Sequence, residues 1–112
     1  MRIRIRTDFA LRNQRTLVER RIRFALSRFE PRIASIDVRL RDINGPRGGI
    51  DQQCRLVVRL RGRYASVVVE DQDVNLESAV SRGAERAARG VARALDTSTD
   101  GRRLFLRRQD VA

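Results

Sequence analysis

Arginine recurs at positions 82, 86, 89 and 93 of this 112-residue chain, in the stretch SRGAERAARGVAR. On a helix advancing about 100° per residue, the four fall within an arc of roughly 60°, with Leu76, Val80, Ala84, Ala87 and Val91 on the opposite side. Successive arginines rise about 4.5 to 6 Å along such an axis, comparable to the separation of phosphates along a nucleic-acid strand. Guanidinium groups form planar, bidentate bonds to phosphate, so the chemistry on offer is the grip of a polyanion. An ordinary solvated face is the competing reading, since arginine is a good helix former. Against it, only Glu85, off to one side, interrupts the stripe, while Arg82/Arg86 and Arg89/Arg93 stand at i, i+4, where like charges cost roughly 0.2–0.5 kcal/mol per pair.

An earlier segment adds Arg20, Arg21 and Arg28 beside Phe24. An aromatic among arginines could stack on a base, but a ring packed at the edge of a groove between helices is the more ordinary use of one phenylalanine. Catalysis has few residues to draw on. The chain has no histidine and one cysteine, so acid–base duty would fall to carboxylates and a transition-metal site is poorly supplied. The local acidic cluster of Glu70, Asp71 and Asp73 reads as a solvated turn between strand and helix. Cys54 alternates in phase with core residues and reads as a small buried hydrophobe, not a nucleophile. We expect no catalytic residues, no metal, no cofactor and no small-molecule substrate.

Elements that could position these residues follow from periodicity. RIRIR, residues 2 to 6, alternates strictly and predicts a first strand with Ile3 and Ile5 inward. Val18, Ile22, Ala25, Leu26 and Phe29 follow helical spacing from Asn13 to about Glu30, where Pro31 supplies the stop. Ile36, Val38 and Leu40, then Cys54, Leu56, Val58 and Leu60, return to period two on either side of the turn formers NGPRGG at 44–49, which predicts a hairpin. Gly62 marks a tight turn into a fourth strand over roughly Tyr64 to Glu70, in which the inward member of Val67, Val68 and Val69 stays open. Asn75 is a good N-cap for a second helix over about Leu76 to Leu95, with Glu77 in its first turn.

The expected fold is α+β, in the order β-α-β-β-β-α: a four-stranded sheet carrying both helices on one face, with strands one and two parallel and the other pairs antiparallel. Residues 1–96 form one domain and 97–112 a basic, flexible tail; RRLFLRR at 102–108 could be a mobile arm, a membrane contact or a frayed end. The other sheet face would carry Arg2, Arg4, Arg6, Arg39, Arg41, Arg55, Arg59 and Arg61, relieved by Asp37. That face is either a second electrostatic surface or a guard against strand aggregation.

Composition bounds the partners. A formal charge of +11, with all 25 basic residues arginine, favours polyanions, and the apolar share of 41% suits a single globular core. No apolar run reaches the length of a signal peptide core or a membrane span, so we expect a soluble, cytoplasmic protein with no membrane partner.

The stretches ALSRFEPRIASIDVRLRDINGPRGGIDQQCRLVVRL and LESAVSRGAERAARGVARAL resemble the ribosome hibernation promoting factor and RaiA family, also called the S30AE or sigma-54 modulation family. The resemblance covers residues 1 to about 96. Asp42, Asn44, Gly45, Pro46, Gly48, Gly49, Asp51 and Cys54 are similar to the hairpin signature of a small stand-alone branch of it. The resemblance implies a fold like that of double-stranded RNA-binding domains, docking through basic helices into the mRNA and tRNA channel of the small ribosomal subunit and blocking translation by occupancy. It implies the 30S or 70S ribosome and its 16S rRNA as partner, with Arg86, Arg89, Arg93 and Arg28 as contacts; the helical stripe and the first helix themselves add Arg82, Arg20 and Arg21 as further candidates. Where many members begin the second helix Asp-Met-Tyr, this chain has Asn75, Leu76 and Glu77, which keeps the cap and lacks the tyrosine. It also lacks the added C-terminal domain of long members, so pairing of ribosomes through such a domain is not expected. Two other readings use the same charge: a general RNA-binding or RNA-chaperone protein, and a regulator binding an acidic protein partner.

Overall fold

The computed structural model describes residues 1–43, 52–62 and 65–111, and from residue 97 onward the backbone alone. Strand β1 (Arg2–Thr7) leads through a 3-10 turn (Phe9–Gln14) into helix α1 (Arg15–Leu26) and a second 3-10 segment (Ser27–Arg32). Strands β2 (Ile33–Asp42), β3 (Gln52–Leu60) and β4 (Ser66–Asp73) follow, and then helix α2 (Leu76–Val111). The sheet order is β1-β2-β3-β4, with β1 parallel to β2 and the other neighbours antiparallel, as the α+β reading expects.

Period-two patterning turns one sheet face into core. Ile5, Ile36, Val38, Leu40, Cys54, Leu56, Val58 and Val69 are buried, while the arginines between them face outward. Val18, Ile22 and Leu26 of α1 complete this core with Leu76, Val80, Ala84, Ala87 and Val91 of α2. Ile33 is out of phase with Ile36 yet equally buried. The reason is a shift of register between Ile33 and Ser35, where one extra residue in β2 switches the strand's inward side.

Three boundaries differ from those read in the sequence. The α-helical part of α1 stops at Leu26, and Pro31 lies inside the 3-10 segment that turns the chain directly into β2. Helix α2 continues past Leu95 to Val111. Strand β4 runs on through Glu70, Asp71 and Asp73, so the acidic cluster is strand, not a solvated turn. Within it Val67 and Val69 face the core and Val68 faces out, 53% exposed. The NGPRGG segment and Tyr64 lie outside the described residues; β2 and β3 nonetheless pair from Asp42↔Gln52 inward, as a hairpin requires. Gly62 has φ +64°, the left-handed conformation that suits glycine at this turn.

Helix α2 lies close over β4 at one point. A Cβ on Gly90 would stand 2.6 Å from Val67 Cγ1, and valine is stiff at χ1. Gly90→Ala should therefore lose about 1 kcal/mol net, because an overpacking cost of about 1–3 kcal/mol outweighs the gain of about 1 kcal/mol in helix propensity. In a double-mutant cycle by urea unfolding, Val67→Ala should relieve that loss; additive effects would contradict the close approach.

Candidate nucleic-acid interface

Helix α2 begins where the sequence places it. Asn75 Oδ1 accepts the backbone N–H of Glu77 at 2.8 Å and of Ser78 at 3.3 Å, an N-cap that fixes the start of the helix and hence the direction of its arginines. The four arginines do not meet the same surroundings. Asp71 and Asp73, inward members of β4, lie beneath the first turns of α2. Arg82 donates from Nη2 to Asp71 Oδ1 at 2.7 Å, from Nη1 to Asp73 Oδ2 at 2.9 Å and from Nη2 to the Gln72 carbonyl at 2.8 Å. Arg86 donates from Nη1 to the Glu70 carbonyl at 2.7 Å and reaches Asp71 Oδ2 at 3.3 Å.

The stripe is therefore compensated over its first half, by carboxylates from a neighbouring strand instead of from the helix. The Asp71 side chain is only 11% exposed, and its hydrogen bond from Arg82 holds its carboxyl below the usual carboxylate range. Asp73 is lowered too, first by accepting the Asn75 N–H and then by Arg82, while the Arg82 guanidinium is held still more firmly in its charged form by Asp71 and Asp73.

Arg21 is likewise engaged. It bridges the helices, donating to Ser81 Oγ at 2.9 Å and pairing with Glu77. Arg20, Arg28, Arg89 and Arg93 have no ion pair among the described residues. Arg20 and Arg28, from α1 and the 3-10 segment after it, and Arg89 of α2 line a groove of about 680 Å³ between the helices, together with Phe24 and the apolar floor of Ala84 and Ala88. Arg89 also forms the ridge to a second depression, of about 290 Å³, shared with Arg86, Gly90 and Arg93 along β4.

Phe24 does not pack as the more ordinary reading expects. Its ring is 85% exposed on the groove wall, available to an incoming planar group. The cation of Arg28 sits 4.8 Å from the centroid of the Phe29 ring, which orients it beside that wall. The geometry offers charge-assisted bonds to phosphate around one stacking surface.

Cys54 is fully buried in β3, and burial, aided by the charge of Asp71, pushes its thiol up to about 12. It should resist a thiol reagent such as dithionitrobenzoate in the native state at pH 8 and react fully in denaturant. Rapid native labelling would contradict its burial. Among the described residues no group of three or more histidine, cysteine, aspartate or glutamate side chains could hold a metal ion, and no helix is long and apolar enough to cross a membrane.

No protein-family model matches the chain, and no curated protein matches it in sequence. Solved structures do. A ribosomal subunit interface protein from Coxiella burnetii superposes with a TM-score of 0.63 at 13% identity, over 86% of this chain and 99% of that one. The N-terminal domain of Protein Y from Thermus thermophilus gives 0.60 at 23% identity, over 83% and 98%. The chain shares their fold over most of its length, and at the level of fold this bears out the family resemblance read in the sequence.

Proposed function

We propose that this protein is a ribosome-associated translation inhibitor that binds the rRNA of the small-subunit channel through α1 and α2 and acts by occupancy, without chemistry. The observation that carries the reading is the set of arginines left without ion pairs among the described residues: Arg20, Arg28 and Arg89 line the groove with the exposed ring of Phe24, and Arg93 lies with Arg89 in the adjoining depression along β4. Unpaired guanidinium groups gathered on one surface are a standing electrostatic cost that an RNA backbone relieves, with release of its counterions. The shared fold with a ribosomal subunit interface protein supports the choice of partner. Arg82, Arg86 and Arg21 enter this reading differently from the other four. Their guanidinium groups hold the helices to β4 and to each other, so they shape the surface before they touch RNA.

The test is co-sedimentation with purified 30S and 70S particles over a salt series, beside anisotropy with an unrelated structured RNA. Preferential binding to the particles supports the proposal. Equal affinity for both at physiological salt would favour a general RNA-binding or chaperone role, and capture of an acidic protein that survives nuclease treatment would favour the regulator reading.

A further inference from the structure

The outward face of the sheet is not absorbed by this site. In register across three strands stand Arg6, Arg39 and Arg55, with Arg6 opposite Arg39 and Arg39 opposite Arg55. Neighbouring strands lie about 4.8 Å apart, and like charges directly opposite on one face repel. Asp37 pairs closely with Arg59, whereas the carboxylates nearest the row are held loosely: Asp8 stands 3.7 Å from Arg39, and Glu70, opposite Arg55 on β4, stands 3.6 Å from it. Around this row lies a basin of about 600 Å³, to which Arg41, Arg59 and Gln53 also contribute, with Asp37 and Glu70 as its acidic members against five arginines.

A guard against strand aggregation does not account for the pattern. Such a guard belongs on the edge strands, where unpaired backbone groups are open to a partner. Here the charge crosses from the edge strand β1 onto the central strands β2 and β3, and the other edge, β4, exposes Val68 on the same face. No aromatic residue occurs in any of the four strands, so the face has no ring on which a base could stack. Flexible guanidinium stems over a polar basin fit a phosphodiester backbone read without sequence.

We propose that the Arg6–Arg39–Arg55 row is a second RNA-contacting surface, which takes the backbone of an RNA segment on the side of the protein opposite the helices. The inference rests on the reading of the protein as an RNA binder. It makes the protein a wedge held between two RNA segments instead of a lid resting on one.

The experiment measures anisotropy of a fluorescein-labelled RNA duplex across a KCl series. The variant Arg6→Gln/Arg39→Gln/Arg55→Gln is compared with a control of equal charge loss, Arg15→Gln/Arg23→Gln/Arg32→Gln. The sheet variant should lower the slope of log affinity against log salt by about 2 to 3, near 0.9 for each lost phosphate contact, and the control by less than about 1. Circular dichroism should show the sheet variant folded and melting close to the parent, since the relief of arginine–arginine repulsion offsets the loss of two loose, exposed ion pairs, Arg39–Asp8 and Arg55–Glu70. Equal slopes for the two variants would overturn the second surface while leaving the helix site in place. A sheet variant that keeps its RNA affinity but loses binding to poly-L-glutamate would also overturn it, in favour of an acidic protein. Failure of the parent protein to bind the duplex at all would instead overturn the RNA reading itself.

Discussion

Changing Arg28, Arg89 and Arg93 together to glutamine is expected to lower affinity for 30S particles by about 1,000-fold at physiological salt, at roughly tenfold per lost charge-assisted contact. The same variant should flatten the salt dependence by about 2 to 3 in slope, because each contact that disappears no longer releases a counterion. The fold should be unaffected, since none of the three carries an ion pair among the described residues. Arg82→Gln provides the contrast. Its guanidinium is already shared between Asp71, Asp73 and the Gln72 carbonyl, so its loss should change the salt slope little and the thermal midpoint more. Sedimentation at several salt concentrations, with melting curves on the same samples, separates the two outcomes. A triple variant that binds as well as the parent would remove the helix groove as the site.

The second large effect has opposite signs on stability and on binding. Asp71→Asn should cost about 1 kcal/mol at pH 7, because Asp71 loses charge-assisted hydrogen bonds from arginines that are themselves half exposed and screened. The loss has a defined pH window. The folded Asp71 carboxyl titrates below its unfolded value of about 3.9, so near pH 4 the unfolded chain binds more protons and stability rises with pH. The contribution is complete above about pH 5 and disappears as pH falls through the folded value, so parent and variant should converge in acid. Binding moves the other way. With the carboxylate neutralised, Arg82 and Arg86 keep their charge and lose an internal competitor, so affinity for RNA should rise several-fold. Urea unfolding at pH 7 and pH 3, together with anisotropy at pH 7, tests both halves; a variant less stable but no tighter would show that the two arginines never reach the RNA.

The pairing behind this opposition is partly legible in the sequence. The alternation of Val67 and Val69 continues through Asp71 and Asp73, so a strict period-two reading places both carboxylates on the inward side of β4. A cluster of acidic residues ahead of an N-cap is more commonly a turn, and that commonness conceals the strand. The core positions of β1, β2, β3 and both helices are legible because burial imposes a period on each segment by itself. Ile33 is not, since a bulge changes phase without marking the sequence. The open position of Phe24 is hidden for a similar reason: exposure of one ring depends on the distance between two helices, not on spacing within either.

The sequence by itself determined the order of elements, the inward faces, the N-cap at Asn75, the turn at Gly62 and the excess of arginine over acid. Tertiary structure alone decided which arginines remain unpaired. Spacing along α2 makes Arg82, Arg86, Arg89 and Arg93 equivalent members of one stripe, but the helix lies across β4, pressed close at Gly90, and the strand's carboxylates end beneath its first turns. Charge pairing depends on distance through space, and residues 11 apart in the chain meet only after the helix has packed against the strand.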